Sequence, residues 1–397
     1  MQKLTIRDID VSNKTILLRV DFNVPMENGE ITDPTRIIES LPTIKYILEH
    51  NGRLVIVSHM GRPDGKVVEK YSLKPVAASL SALLNRPVDF IGDCIGEAVN
   101  KKKQSLKNTD ILLLENVRFY SAETDNDDGF SHQLIDYCDI YVNDAFGTSH
   151  RAHSSTAGVA KFAKKSVAGF LIEKELNYLS SALESPVRPF VAIIGGSKIS
   201  GKIDVINQLF SKVDTILIGG AMIFTFYRAM GLGTGKSLVE EDKIELAADL
   251  IRIAKEKNVR LVLPTDIHCA DQFANNATDS FHNYDEIPDD LIGLDIGPKS
   301  IELFEQILST AKTVVWNGPM GAFEMPKFSE ATFSVARTLA EITKSGAITI
   351  VGGGDSAAAI NQIGLADQLS HISTGGGASL ELLEGKKLPG IECLDTK

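Results

Sequence analysis

Cysteine is scarce in this chain, and the four present, Cys94, Cys138, Cys269 and Cys393, stand far apart with no C-x-x-C pair. That spacing argues against a zinc ribbon and a dithiol redox centre, and it suits a reducing compartment. Long apolar runs are missing too. The longest nearly apolar stretch, residues 216–226, is too short to span a bilayer. The opening residues, Met1-Gln2-Lys3-Leu4-Thr5-Ile6-Arg7-Asp8, hold no apolar targeting core, so a cytoplasmic protein without a membrane partner is expected. Nor is there a basic surplus. The net charge of −11 argues against nucleic acid or an anionic membrane surface as the main partner, whereas an anionic substrate needs only local cations. No short-period repeat and no low-complexity segment is present.

What the chain does have is ordinary globular composition, 43% hydrophobic and 23% charged, over 397 residues, which is too long for one usual core. Two domains are expected. In the first half, short apolar runs end in polar loops. The run 15–20 ends in Asp21-Phe22-Asn23, and 53–57 ends in Ser58-His59-Met60-Gly61-Arg62. The run 111–114 ends in Glu115-Asn116-Val117-Arg118, and 140–142 ends in Asn143-Asp144, with His150-Arg151-Ala152-His153 beyond. Helix-like stretches such as 34–49 and 73–84 lie between them, which predicts a parallel sheet covered on both faces. Ligands bind outside the carboxyl ends of such strands.

The clearest helix covers 171–184, with Ile172, Leu176, Leu179 and Leu183 on one face and Pro186 and Pro189 after it. Beyond it the strands end in glycine: Gly195-Gly196-Ser197-Lys198, Gly219-Gly220-Ala221, Asn317-Gly318-Pro319, Gly352-Gly353-Gly354 and Gly375-Gly376-Gly377. The first half reads as built for a small anion, the second for a nucleotide.

Single motifs carry competing readings. Gly352, Gly354 and Ala357 satisfy a G-x-G-x-x-A dinucleotide fingerprint. The acidic residue due about 20 positions on is absent, which favours a phosphate cradle, while a plain turn with Asp355-Ser356 capping a helix is the bland alternative. Arg36, Arg62, Arg118 and Arg151 suit bidentate phosphate or carboxylate recognition, or are solvated surface arginines. Asp21 and Asn23 could share one side of a strand end, or merely turn the chain before Pro25. His59 alone is more often a hydrogen-bonding or core residue than a base. His150 and His153 show no zinc pattern. Lys198 and Lys202, spaced i, i+4, are expected at a helix start, where a bound anion would explain them and two solvated lysines would be the alternative. Gly231-Leu232-Gly233-Thr234-Gly235-Lys236-Ser237 imitates a P-loop, but Met230 stands where its first glycine belongs. It reads as a surface loop.

Taken in order, these stretches resemble the phosphoglycerate kinase family over essentially the whole length. The resemblance rests on Arg19-Val-Asp-Phe-Asn-Val-Pro25, His59-Met-Gly-Arg-Pro63, Glu115-Asn-Val-Arg-Phe119, Asn143-Asp-Ala-Phe146 and Ser149-His-Arg-Ala-His-Ser154. In the second half it rests on Gly195-Gly-Ser-Lys198, Trp316-Asn-Gly-Pro319, Gly352-Gly-Gly-Asp-Ser356 and Ser373-Thr-Gly-Gly-Gly-Ala-Ser379. Met60, Ala221 and Gly201 depart from the usual pattern, where leucine, a third glycine and an aspartate are common. The resemblance implies two doubly wound parallel-sheet, Rossmann-like domains with a deep cleft between them, joined by a helical hinge at 171–184. Residues 1–170 plus a C-terminal return from about 378 to 397 would bind 3-phosphoglycerate, and 171–377 the nucleotide.

The implied reaction is reversible phosphoryl transfer from 1,3-bisphosphoglycerate to ADP, giving ATP and 3-phosphoglycerate, in a monomer. Arg62, Arg118 and Arg151 would hold the 3-phosphate, and Asp21, Asn23, Arg36 and His59 would orient the glycerate. Lys198 and Lys202 would contact nucleotide phosphates, with Asn317 close by. Gly293, Leu294 and Pro319 would line the adenine slot, Glu324 would accept from the ribose, and Asp355 would hold Mg²⁺. By the same resemblance Gly219, Gly220, Gly353, Gly354 and Ser356 would belong to the glycine-rich nucleotide site. An ionised carboxylate acceptor needs no catalytic base. Catalysis would then come from positioning and charge stabilisation by Arg36, Lys198 and the chain at Gly375 and Gly376.

Overall fold

The computed structural model describes residues 2–397. It divides into two compact units, one taking the chain up to Asn177 and again over Lys387–Lys397, the other Tyr178–Lys386. The first unit contains β1 (Thr15–Arg19), β2 (Met26–Glu27), β3 (Glu30–Ile31), β4 (Arg53–Val57), β5 (Asp89–Ile91), β6 (Ile111–Leu114), β7 (Ile140–Asn143) and β8 (Ser166–Ala168). Six of these form one sheet in the order β5-β6-β4-β1-β7-β8, all pairs parallel, while β2 and β3 make a small hairpin. Every residue of β1, β6 and β7 is buried. That is why these strands read as unbroken apolar runs: both faces are covered. The helix Thr35–Glu49 turns Ile37, Ile44 and Ile47 onto Ile16, Leu18 and Ile56 in one core.

The second unit contains β9 (Phe190–Ile194), β10 (Thr215–Ile218), β11 (Arg260–Val262), β12 (Asp266–Ala270), β13 (Asp279–Asn283), β14 (Ile292–Ile296), β15 (Thr313–Asn317), β16 (Ile348–Gly352) and β17 (His371–Ile372). Its parallel sheet runs β11-β10-β9-β15-β16-β17. Numbered by chain order within the sheet this is 3-2-1-4-5-6, the doubly wound order whose switch point lies between β9 and β15. A second sheet, β13-β12-β14, is antiparallel and was not legible in the sequence, because Asp266-Ile-His-Cys-Ala and Asp279-Ser-Phe-His-Asn lack an apolar run. The Gly231–Ser237 stretch is less superficial than expected, since Thr234 and Ser237 are buried.

The helix Phe170–Glu184 carries the division between the units. Within the first unit its start is held by Asp144, whose Oδ1 accepts from Leu171 N at 2.8 Å. Burial pushes that carboxyl up to about 7. The expected return at about 378 falls inside the helix Gly377–Leu383, which packs on the helix Ile203–Leu209. Lys386 also pairs with Asp204 at 3.2 Å, so the chain leaves this unit only after Lys386. From there it joins the first unit. Lys3 Nζ donates to the carbonyls of Glu392 and Leu394 at 2.9 Å each, and Leu4 N donates to Asp395 O at 2.8 Å. No helix among the described residues is long and apolar enough to cross a membrane.

Candidate active site

In the first unit the structure brings Arg62, Arg118 and Arg151 together. They line one pocket of about 440 Å³ with Pro63, Asp64, Gly65, Ser121, Thr124 and His153. Each arginine follows a strand end: Arg62 after β4, Arg118 after β6, Arg151 in the turn after β7. Among the described residues none of the three has a carboxylate within ion-pair distance. Arg118 is buried, donates through Nη1 to Gly61 O at 2.8 Å, and keeps a buried Nε without a partner. Burial, then the charges of Arg19 and Arg151, pull its pKa down to about 10. Like charges held this close without counter-ions mark a site built for an anion.

Beside it, Arg36 Nη1 donates to Asp21 Oδ2 and Asn23 O, both at 3.1 Å. Asn23 Oδ1 accepts from Gly61 N at 2.9 Å, which ties the loop after β1 to the loop after β4. The turn reading of Asp21 and Asn23 is thus half right. Asn23 N does donate to Asp21 Oδ1 at 3.2 Å, yet both side chains also serve the cluster. His59 is buried with Nδ1 3.7 Å from Asp21 Oδ1. Burial and the surrounding arginines hold its pKa well below the ordinary value, so it is a neutral imidazole.

Sequence reasoning missed the layer beneath. Arg19 is fully buried; its Nε donates to Ser155 Oγ at 2.9 Å and Nη2 meets His59 Nδ1 at 3.2 Å. Ser155 Oγ and N in turn donate to the buried Glu123 carboxylate at 2.7 and 2.8 Å. An arginine ending an apolar strand, Leu17-Leu18-Arg19, was the available signal. His153, read only against a metal pattern, lines the pocket, and burial with Arg118, Arg19 and Arg151 pulls it down to about 4.

In the second unit a pocket of about 390 Å³ gathers Gly220, Gly293, Leu294, Pro319, Glu324 and Asp355. Phe224, Leu238, Phe273 and Ile292 supply its apolar lining; single exposed apolar residues such as Leu238 gave no sequence signal. The switch point builds it. Gly195 N donates to Asn317 O at 2.9 Å and Gly196 N to Pro319 O at 3.1 Å, joining the strand ends of β9 and β15. A Cβ on Gly195 would stand 2.1 Å from Pro319 O, and one on Gly318 2.2 Å from Gly195 O, so backbone meets backbone. Other expected residues stand behind the pocket rather than in it. Gly219 packs on Met320, Ser356 Oγ accepts from Gly318 N at 2.8 Å, and Asn317 Oδ1 accepts from Lys202 Nζ.

Two local expectations change. Lys198 is not on a helix: the helix begins at Ile203 with Lys202 at its cap. The intervening loop is held by Glu240, which accepts from Ile199 N at 2.6 Å and Ser200 N at 3.2 Å, leaving Lys198 exposed. At the glycine-rich stretch the capping position is Gly353, with Gly354, Asp355 and Ser356 inside the first turn of the helix Gly354–Gln362. The strand it follows, β16, is fifth in its sheet rather than first, which removes the dinucleotide reading. Gly376 caps the short helix Gly377–Leu383, and Gly375 N donates to Ser373 Oγ at 3.1 Å. Lys202 is partly buried, and burial lowers its pKa against the opposing charges of Asp355 and Glu384. Among the described residues no three His, Cys, Asp or Glu side chains group as a metal cage.

Two doubly wound domains, one with an arginine-lined anion pocket and one with a glycine-walled pocket at its sheet's switch point, define a two-substrate α/β enzyme. A family model described as phosphoglycerate kinase matches residues 6–386. The chain is 56% identical over 396 residues to the phosphoglycerate kinase of Chlorobium luteolum, covering 100% of both. It is 57% identical over 387 residues to that of Thermosynechococcus vestitus, covering 97% of this chain and 96% of the other. The solved phosphoglycerate kinase from Coxiella burnetii matches with a TM-score of 0.91 at 42% identity over 98% of each chain. This chain belongs to the phosphoglycerate kinase family, and with it to the enzymes of glycolysis.

Proposed function

We propose that this chain transfers a phosphoryl group directly and in line, reversibly, between 1,3-bisphosphoglycerate and ADP. The products are 3-phosphoglycerate and Mg-bound ATP. The observation that carries the substrate side is the pocket where Arg62, Arg118 and Arg151 converge without ion-pair partners. They hold the 3-phosphate of the glycerate. Arg36, Asp21, Asn23 and neutral His59 hold its other end, His59 as a hydrogen-bonding group rather than a charge. The acceptor in the ATP-consuming direction is a carboxylate, ionised at neutral pH, so no residue has to remove a proton.

On the nucleotide side, Gly293, Leu294 and Pro319 flank the base, Glu324 accepts from the ribose, and Lys198 and Lys202 meet the phosphates. Asp355 fits a magnesium ion: it lines the pocket, is exposed, and no protein donor occupies its carboxylate among the described residues. One carboxylate plus substrate phosphates is the usual magnesium arrangement, and the ion would neutralise phosphate charge there. Arg36, Lys198 and the chain at Gly375 and Gly376 stabilise the transferring group. The reaction requires both substrates to meet, so the proposal includes closure about the helix Phe170–Glu184. A cytoplasmic monomer completes it: the cysteine pattern suits a reducing compartment, and the monomer rests on the likeness to the family alone.

The test is ATP formation from ADP, Mg²⁺ and enzymatically generated 1,3-bisphosphoglycerate, with Arg36→Ala and Lys198→Ala alongside. Turnover by the parent and a kcat loss of about 10²–10³ in each folded variant is expected, on the scale of losing one charge-stabilising donor. A folded parent that binds ADP but turns nothing over would reduce the protein to a binding protein.

A further inference from the structure

The P-loop-like stretch that the function did not absorb touches the nucleotide pocket from behind. In the antiparallel sheet, β12 pairs Ile267 with Ile296 and His268 with Asp295, but then Cys269 with Gly293, so Leu294 is an extra residue on β14. Such a bulge takes backbone groups out of the ladder and re-aims the side chain. Two backbone groups beside the bulge are bonded by loops. Gly293 N donates to Ser237 Oγ at 2.9 Å, and Leu294 O accepts from Ala322 N at 2.8 Å. The second contact holds the loop that carries Glu324. The first belongs to Ser237, buried, on a chain whose neighbour Leu238 lines the pocket. Lys236 N also donates to Leu291 O at 2.8 Å, so the loop runs along the approach to β14. Gly293 also packs closely on Phe224, since a Cβ there would be 2.1 Å from Phe224 Cζ.

We propose that Ser237 is a positioning residue for nucleotide binding, its hydroxyl accepting the Gly293 N–H beside the β14 bulge and so fixing Gly293 and Leu294 against the base. It touches no substrate and acts only through Gly293. This rests on the reading of that pocket as the nucleotide site. It gives the Gly231–Ser237 loop a role unlike that of a true P-loop, which would wrap phosphates with its backbone.

The experiment titrates ADP into the parent, Ser237→Ala and Ser237→Thr by calorimetry, with KM for ADP and for 1,3-bisphosphoglycerate measured in parallel. The alanine variant should weaken ADP binding about five- to tenfold, the scale of one buried hydrogen bond. Its KM for 1,3-bisphosphoglycerate and its kcat should stay near the parent values, and threonine should restore ADP affinity. An unchanged Kd in the alanine variant, or an equal loss in the folded threonine variant, overturns the proposal. So does a uniform loss of kcat, both KM values and Tm, which would make Ser237 only structural. If alanine prevents folding, Ser237→Cys keeps the volume and weakens the acceptor, and the same outcomes apply. No ADP binding by the folded parent would instead overturn the nucleotide reading of the pocket.

Discussion

Arg19 Nη2 lies 3.2 Å from His59 Nδ1, and since a guanidinium can only donate, that ring nitrogen accepts. His59 therefore carries its proton on Nε2, and the buried cationic surroundings keep the ring neutral. His153 is held the same way, at about 4. The consequence is acid sensitivity. Below 6.5, the ordinary histidine value, the unfolded chain takes up protons that the folded chain refuses. For His153, stability is lost as pH falls from 6.5 toward about 4, with a slope of up to about 1.4 kcal/mol per pH unit, and His59 acts in the same direction. Urea unfolding across that range measures the slope, and His153→Asn should lower it. An unchanged slope would show that His153 is charged in the folded protein.

Arg118 sits in a cluster that repels itself until an anion arrives. Arg118→Met should leave Tm unchanged or raise it, because burial and its neighbours already disfavour that charge. The same change should raise KM for 3-phosphoglycerate by about tenfold or more, the scale of one charge-assisted contact. Sulfate should stabilise the parent and do so less in the variant. A variant with lowered Tm and unchanged KM would remove Arg118 from the anion pocket.

The sequence showed where strands end and which residues crowd there, because strands covered on both faces leave an unmistakable apolar run. It separated arginine ends from glycine ends; Arg62, Arg118 and Arg151 line one pocket, while Arg36 is bonded to Asp21. It could not show depth. Arg19 and Glu123 look like any charged residues along the chain, and only the fold buries them beneath Ser155. Nor could it show a bulge: Leu294 is one apolar residue in a short strand, and its significance comes from pairing across to β12. Lys198 was misplaced for a related reason. Its spacing to Lys202 imitates a helix, whereas the carboxylate of Glu240, far along the chain, holds that segment as a loop.

Gly293→Ala tests the nucleotide pocket from its tightest point. The added Cβ would meet Phe224 Cζ at 2.1 Å and Ile267 Cγ2 at 2.8 Å, and neither ring nor strand can yield without moving the pocket wall. A stability loss of about 1–3 kcal/mol is expected, as for overpacked cores. KM for ADP should rise while KM for 1,3-bisphosphoglycerate stays near the parent value, since the crowded atoms belong to the second unit alone. Steady-state kinetics on both substrates, with a melting curve, separates these effects.

Deleting the chain after Leu388 should cost both stability and substrate binding in the first unit. Ile391 and Leu394 are buried, so their loss exposes the apolar surface they cover. Asn143 Nδ2, fully buried, would lose its 2.8 Å acceptor Gly390 O, and Lys3 Nζ would lose both of its carbonyls. Two buried apolar side chains and these contacts amount to several kcal/mol, which predicts a fall in Tm on the order of 10 °C. Binding follows through one further contact: Gly390 N donates to Ser149 O at 2.8 Å, holding the turn that presents Arg151 and His153. KM for 3-phosphoglycerate should therefore rise beyond what the lost stability explains, and Lys3→Met, which loosens the tail but leaves Gly390 in place, should lower Tm without that rise. Calorimetry and kinetics on the two variants decide it; an unchanged melting temperature in the truncated chain would mean that the tail is not part of the first unit's support.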